Sequence, residues 1–158
     1  MTEREMQLQG LATEWRTMAY TWGDCALYAL AVGATGEEPQ YTYEKDMQVI
    51  PTFGVLPYWG AVNVTPQFPR PRAVPVLVEE LLQPAQSYVN LDYEFLYHRP
   101  IPAGKGSFVY RDVLTDLFDR GEGRGMAVRS QVEVFDEGGV LLCTNRCTTL
   151  FPTLGGYG

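Results

Sequence analysis

Alternation of apolar and polar residues in the second half of the chain constrains the fold more than any other feature. Between Val89 and Tyr97 an apolar side chain occupies every second position, the period of a strand with one buried face. Further strands are predicted over Lys105–Phe118, Met126–Val134 and Val140–Phe151. Glycine-rich turns separate these three strands, so they predict an antiparallel meander.

The first half predicts fewer and shorter elements. Leu11–Trp22 has the composition of a strand, and Asp24 is a suitable N-cap for a short apolar helix over Cys25–Val32. Gly33 and Gly36 would end that helix. A strand and a helix that precede a long antiparallel sheet predict an α+β fold.

The middle of the chain predicts one buried helix between two connections. Glu37–Lys45 is polar and predicts a loop, whereas Val49–Val62 is apolar on all sides and is long for a single strand. Pro51 suits the first turn of a helix. Pro66–Pro75 predicts an extended connection, and Val76–Leu82 predicts another short helix.

The totals exclude several classes of protein. A chain of 158 residues fits one domain, so we assign residues 1–158 to a single domain. Its net charge of −7 opposes the phosphate backbone of nucleic acids, and no nucleic-acid partner is expected. No stretch reaches the roughly 18 apolar residues of a membrane span, so no membrane partner is expected. Met1–Gln9 is polar and does not resemble a signal peptide, which makes the cytoplasm the expected compartment.

The three cysteines predict neither a disulfide framework nor a metal site. Cys143 and Cys147 lie four positions apart in a predicted strand, which separates them by about 13 Å. A disulfide requires Cα atoms within about 7 Å, so these two residues are expected to stay reduced. The chain has one histidine, and we therefore expect no zinc and no other cofactor.

Five blocks of sequence carry a family resemblance. They are Tyr20–Ala34, Pro51–Val55, Tyr97–Pro102, Asp119–Gly123, and Leu142–Arg146 together with Gly155–Gly158. In this order they resemble the N-terminal half of two-part MaoC-like (R)-specific enoyl-CoA hydratases, the hydratase 2 family. The resemblance implies a hot-dog fold, in which a long antiparallel sheet wraps around a central helix. It also implies that Gly158 lies near the end of the first of two tandem hot-dog units.

The resemblance further implies a missing catalytic pair. The second unit of such proteins carries an Asp-x4-His motif, within a pattern close to Ser-Gly-Asp-x-Asn-Pro-x-His. Aligning the glycine of this pattern with Gly33 puts Ala34 and Pro39 in the acidic and histidine positions. Neither residue can exchange a proton. His98 follows Asp92 by six positions on a predicted strand, about 20 Å away, so these two residues cannot act as one acid–base pair. We therefore assign no catalytic residue.

Binding residues are predicted around the start of the central helix. Backbone N–H groups near Phe53 and Gly54 could stabilise a thioester oxygen, with Gly54 admitting the ligand; alternatively Gly54 only eases packing against the sheet. Side chains that could line an acyl pocket, or belong to the ordinary core, are Leu27, Tyr28, Phe53, Val55, Leu56, Tyr58 and Trp59. Basic residues that could meet coenzyme A phosphates, or be merely solvated, are Lys105, Arg120 and Arg124.

The leading hypothesis is a thioester-binding, non-catalytic hot-dog subunit. Its ligand would be an acyl-CoA or an acyl-carrier thioester, and its partner a second hot-dog chain that carries the catalytic motif. One alternative is a self-sufficient homodimeric thioesterase or dehydratase that uses a carboxylate such as Asp24 or Asp46. Another is a structural or ligand-sensing protein without thioester chemistry.

Overall fold

One five-stranded antiparallel sheet organises the part of the chain that the computed structural model describes, residues 11–59 and 88–156. The helical elements are α1 (Trp22–Ala31), α2 (Pro39–Thr42), a 3-10 helix (Pro51–Val55) and α3 (Leu56–Trp59). The strands are β1 (Arg16–Tyr20), β2 (Val89–Tyr97), β3 (Gly106–Asp119), β4 (Met126–Phe135) and β5 (Leu141–Phe151). Their order in the sheet is β1-β3-β4-β5-β2.

The predicted meander is confirmed. Strands β3, β4 and β5 pair in sequence, and glycines with positive φ, Gly125 at 85° and Gly139 at 79°, lie in the two turns. Strand β2 pairs with β5, with Tyr93 opposite Cys147. Consequently β1 and β2 form the two edges of the sheet.

Helix α1 begins one residue after Thr21, so the prediction of Asp24 as its N-cap was wrong. Thr21 has extended backbone, and its hydroxyl accepts from the Asp24 N–H while the Asp24 carboxylate accepts from the Thr21 N–H. This capping box satisfies two otherwise unpaired donors, because Asp24 lies at the third helical position. The helix ends at Ala31, and Gly33 follows it with φ 105°, in agreement with the predicted end.

Two other predictions need correction. A short helix, α2, interrupts the predicted Glu37–Lys45 loop. The predicted Leu11–Trp22 strand is limited to Arg16–Tyr20, and Ala12 adds only an isolated bridge to Val113.

The predicted central helix starts as a 3-10 helix and continues as α3. Pro57 has no N–H to donate to the Phe53 carbonyl, and that carbonyl accepts from Leu56 instead. The proline therefore explains the tighter 3-10 spacing before it. Residues 60–62 of this segment, Pro66–Pro75 and Val76–Leu82 lie outside the described residues.

The core lies between the sheet and these helices. Phe53 is fully buried at its centre, with ring centroids 5.3 Å from Tyr20, 5.5 Å from Tyr28 and 5.7 Å from Phe108. Such spacings are typical of packed aromatic pairs. No helix among the described residues is long and apolar enough to cross a membrane.

Strand β2 is less buried than its alternating pattern predicts. Tyr93 and Phe95 pack partly against the core, but Val89 and Leu91 are 54% and 56% exposed. Among the described residues β2 has no neighbouring strand on its second side, so these apolar side chains lie beside backbone groups that no described strand pairs.

Candidate functional site

The 3-10 helix rests directly on β5 at Gly54. A Cβ atom at this position would lie 2.5 Å from Cys143 Sγ, closer than a side chain allows, and 3.4 Å from the Phe95 ring. The Gly54 carbonyl accepts from Asn145 Nδ2 at 3.0 Å and from Cys143 Sγ at 3.5 Å. The geometry of Gly54 thus supports its packing role against the sheet.

One of the predicted oxyanion donors is already engaged. The Phe53 N–H donates to the Ile50 carbonyl at 2.9 Å, within the turn that starts the 3-10 helix. The neighbouring Thr52 carbonyl accepts from the Tyr28 hydroxyl at 2.9 Å. A thioester oxygen could receive a bond from Phe53 only after the first of these contacts opened.

The predicted acyl-site residues fall into three groups. Phe53, Gly54 and Tyr58 are buried in the core, whereas Tyr28, Val55 and Leu56 are partly buried beside it. Leu27 is 45% exposed on α1, whereas Phe53 is fully buried. The side chain of Trp59 lies outside the described part of the structure. The structure therefore brings Tyr28 next to Phe53, with ring centroids 5.5 Å apart, and leaves Leu27 largely exposed.

Burial keeps the thiols and phenols of this region uncharged. It raises the pKa of Cys143 to about 12, and it raises the pKa of Tyr58, which also forms a hydrogen bond with Cys147. Desolvation disfavours the ionised form of each group. These groups suit contact with a neutral ligand, and they are poor bases near neutral pH.

Sequence reasoning missed two polar residues on the inner face of the sheet. Asn145 is fully buried on β5, and Asp112 is 5% exposed on β3. Burial raises the pKa of both Tyr58 and Cys147, and the charge of Asp112 adds a smaller part of each rise. The signal in the sequence is a polar residue at an inward position of an alternating strand.

The single histidine closes a strand. His98 Nε2 lies 2.9 Å from Thr144 Oγ1, while Asp92 within β2 accepts from the Thr148 N–H. The two side chains therefore bind residues that lie four positions apart on β5. Ala34 lies after α1, and Pro39 is the first residue of α2.

The three predicted phosphate-binding residues do not converge. Lys105 precedes β3, whereas Arg120 and Arg124 lie in the turn that follows it. Strand β3 has 14 residues and spans on the order of 45 Å. Lys105 and the two arginines therefore cannot bind one phosphate group together within this chain.

Two of the resemblance blocks meet for a structural reason. Asp119 Oδ1 accepts from the Gly121 N–H at 2.8 Å and from the Gly156 N–H at 2.9 Å. The Gly155 Cα also approaches this turn closely, since a Cβ there would lie 2.7 Å from the Gly121 carbonyl oxygen. The carboxylate thus fastens the C-terminal segment to the β3–β4 turn.

A cleft of about 470 Å³ lies on the outer face of the sheet. Hydrogen bonds hold several side chains around it: Arg146 lies 3.0 Å from Glu94 and donates to Gln131 at 2.8 Å, and Arg129 donates to Thr148. None of the predicted acyl-site residues lines this cleft. Within residues 11–59 and 88–156, no group of three or more His, Cys, Asp or Glu side chains could hold a metal ion.

The sequence matches a family model along most of its length. The model described as MFE-2 hydratase 2 N-terminal domain matches residues 18–152. The peroxisomal enoyl-CoA hydratase 2 of Arabidopsis thaliana is 30% identical over 149 residues, which cover 87% of this chain and 44% of that protein. The chain therefore spans less than half the length of this relative.

Two solved structures confirm the predicted hot-dog fold. A MaoC-like dehydratase from Phytophthora capsici superposes with a TM-score of 0.68 at 20% identity, over 95% of this chain and 49% of that one. The ChsH1–ChsH2 complex from Mycobacterium tuberculosis gives a TM-score of 0.72 at 15% identity, over 98% of this chain and 92% of the matched chain. At these identities the similarity establishes the fold alone.

Proposed function

Since the chain belongs to the MFE-2 hydratase 2 N-terminal domain family, we propose that it is an acyl-thioester-binding, non-catalytic hot-dog subunit. It would bind an acyl-CoA or acyl-carrier thioester beside the 3-10 helix. A second hot-dog chain with an Asp-x4-His motif would supply the acid and base that hydrate an enoyl thioester or dehydrate a 3-hydroxyacyl thioester.

One observation carries the proposal. The family match to an N-terminal domain spans residues 18–152, and aligning the glycine that precedes the Asp-x4-His motif with Gly33 puts Ala34 and Pro39 in the acidic and histidine positions. The Asp24 carboxylate is bound to the backbone and hydroxyl of Thr21, which argues against its use as a base. Asp46 lies on an exposed loop.

The partner is proposed from the open edge of the sheet. Strand β2 offers nine residues whose outward backbone groups have no neighbouring strand among the described residues, together with the exposed Val89 and Leu91. Pairing along this edge would bury both and would extend the sheet into a second hot-dog unit. One structural relative is the ChsH1–ChsH2 complex, which supports a second hot-dog chain as the partner.

Turnover tests the catalytic part of the proposal. The purified chain should not hydrate enoyl-CoAs, and co-expression with a MaoC-like chain bearing Asp-x4-His should give turnover, because an acid–base pair contributes about 10² to 10⁴-fold. His98→Ala should leave the rate of the complex nearly unchanged. Robust hydration by the chain alone, abolished by Asp112→Asn, would contradict a non-catalytic role and identify Asp112 as a base.

Light scattering and sedimentation test the partner. We expect the chain to form a dimer with itself or with a catalytic chain at micromolar concentration, and Leu91→Lys to weaken that association about tenfold or more by placing a charge in the interface. Val140→Lys is the matched control, because Val140 is 42% exposed in the β4–β5 turn. A chain that stays monomeric both alone and with the catalytic chain, or equal effects of the two variants, would exclude pairing through β2.

The compartment stays a prediction. The cytoplasm is expected from the sequence, whereas the Arabidopsis relative is named as peroxisomal. Imaging of a fluorescent fusion in the native cell would decide between them.

A further inference from the structure

A fully buried asparagine on the inner face of β5 requires a physical explanation. Asn145 lies opposite Val132 on β4 and Phe95 on β2, and its same-face neighbours on the strand are Cys143 and Cys147. Asparagine is disfavoured in strands, and a buried amide is costly unless it is hydrogen-bonded. An apolar residue would be the simpler choice at this position.

Both ends of the Asn145 side chain are hydrogen-bonded. The Gly54 carbonyl can only accept, so the amide nitrogen of Asn145 must face it, and the Nδ2–O distance is 3.0 Å. The Asn145 Oδ1 atom accepts from the Tyr93 hydroxyl. The amide thus connects strands β2 and β5 to the 3-10 helix.

Gly54 makes this connection possible. Its missing side chain lets the helix backbone approach Cys143 to a distance that a Cβ would forbid. Asn145 and Gly54, 91 positions apart, are therefore a matched pair. Their bond joins the 3-10 helix directly to β5.

The 3-10 helix is also hydrogen-bonded to α1. The Thr52 carbonyl, two residues before Gly54, accepts from the Tyr28 hydroxyl of α1. A displacement of the 3-10 helix would therefore move Tyr28 as well, and both elements belong to the proposed acyl site.

We propose that Asn145 is the positioning residue of the thioester site, holding the 3-10 helix in its binding geometry through the Gly54 carbonyl. This role rests on the proposed function that this helix borders the thioester. Asn145 would contact no ligand atom and would act only through the backbone.

The test measures the affinity of folded variants for octanoyl-CoA, a saturated thioester that cannot be hydrated, by titration calorimetry. Where wild-type binding requires the catalytic partner chain, every variant is measured in that complex. Asn145→Leu removes both hydrogen bonds of the side chain. It should weaken octanoyl-CoA binding about tenfold or more, which corresponds to the free energy of one good hydrogen bond. Tyr93→Phe leaves the Gly54 bond and should weaken binding less, about two- to threefold.

Thr149→Val is the matched structural control. Thr149 is a buried polar residue on the inner face of the same strand, but its hydroxyl bonds to Asn90 and not to a helix. We expect a drop in thermal stability with octanoyl-CoA affinity within about twofold of wild type, as only a stabilising contact is lost.

Asn145→Asp adds a readout that lost stability alone would not move. A neutral carboxyl can donate to the Gly54 carbonyl and a carboxylate cannot, so affinity relative to wild type should recover as pH falls from 8.5 to 5. Titratable groups on the packed elements are Cys143 and Cys147 of β5, Tyr93 of β2, Tyr58 of α3 and Asp112 of β3. Of these, a charged Asp112 would further raise the pKa of the carboxyl that Asn145→Asp introduces. Asn145→Leu should show no recovery of affinity at low pH.

The outcomes separate the two proposals. Wild-type affinity in folded Asn145→Leu, or equal affinity losses in Asn145→Leu and Thr149→Val, would overturn the positioning role alone. If Asn145→Leu does not fold, unchanged affinity in Asn145→Asp at pH 8.5 would overturn it equally. Absence of octanoyl-CoA binding by the wild type, alone and with the partner, would overturn the proposed function and the positioning role together.

Discussion

The two faces of β5 differ sharply, although their residues alternate along one strand. On the inner face Cys143, Asn145 and Cys147 are fully buried beneath the 3-10 helix and α3. On the outer face Arg146 pairs with Glu94, and their side chains are 42% and 54% exposed. Close packing therefore governs one face and solvent-screened charge the other, so equally small changes should have very different effects.

Gly54→Ala should have the largest effect, because its methyl group would overlap Cys143 Sγ on the inner face. We expect the free energy of unfolding to fall by about 1–3 kcal/mol, the usual cost of overpacking a core. Denaturant titration measures it. Gly36→Ala is the matched control, since its methyl group would meet nothing within 4 Å. Equal stability of the two variants would disprove tight packing at Gly54.

A double-mutant cycle sharpens this prediction. Cys143→Ala removes the sulfur atom that the new methyl group meets, so part of the lost stability should return in the double variant. Residues in contact typically show coupling of about 0.5–3 kcal/mol. Strict additivity would mean that the strain arises elsewhere, for example at Phe95.

Alkaline pH should destabilise the inner face next. Burial raises the pKa of Cys143 to about 12, above that of the unfolded chain, so the unfolded state loses its proton first. The stability from the neutral thiol is intact below pH 9 and is lost as pH rises towards 12, at no more than about 1.4 kcal/mol per pH unit. Denaturant titrations from pH 8 to 11 should give a shallower loss for Cys143→Ala. Equal losses of stability with pH in the wild type and in Cys143→Ala would contradict a contribution from the Cys143 thiol. Cys25, with its pKa also raised to about 12 by burial, keeps some slope in both proteins.

The sequence predicted the outer architecture better than the inner contacts. The alternation over residues 89–151 predicted four strands, because each strand pattern depends on residues close in sequence. The N-cap was missed because Asp24 and Thr21 are both good capping residues, and only the backbone of Thr21 decides between them. Local sequence patterns therefore predict the individual strands and helices of this chain.

The candidate site shows the limit of that reasoning. Phe53, Gly54 and Tyr58 were correctly expected to be buried, but no pattern predicted that Gly54 faces Cys143 across 89 positions. Likewise Leu27 belongs to an apolar helix, and its exposure depends on which face of α1 meets the sheet. These features depend on contacts between segments that are distant in sequence, and such contacts leave no periodic pattern in a single sequence.

The smallest effect is expected on the outer face, from Glu94→Gln. Both partners of its ion pair are about half exposed, and Arg146 keeps its bond to Gln131. Such pairs contribute about 0.2–1 kcal/mol, and we expect a loss of no more than about 0.5 kcal/mol that disappears in about 1 M salt. Denaturant titration at low and high salt measures it.

Glu94 also lies on β2, the edge proposed to pair with a second chain. If pairing buries Glu94, the loss should grow with protein concentration, because an ion pair out of water is no longer screened. A salt-sensitive loss that is independent of concentration would leave Glu94 on the surface of the assembly. A loss above about 1.5 kcal/mol in the dilute monomer would contradict the contrast between the two faces.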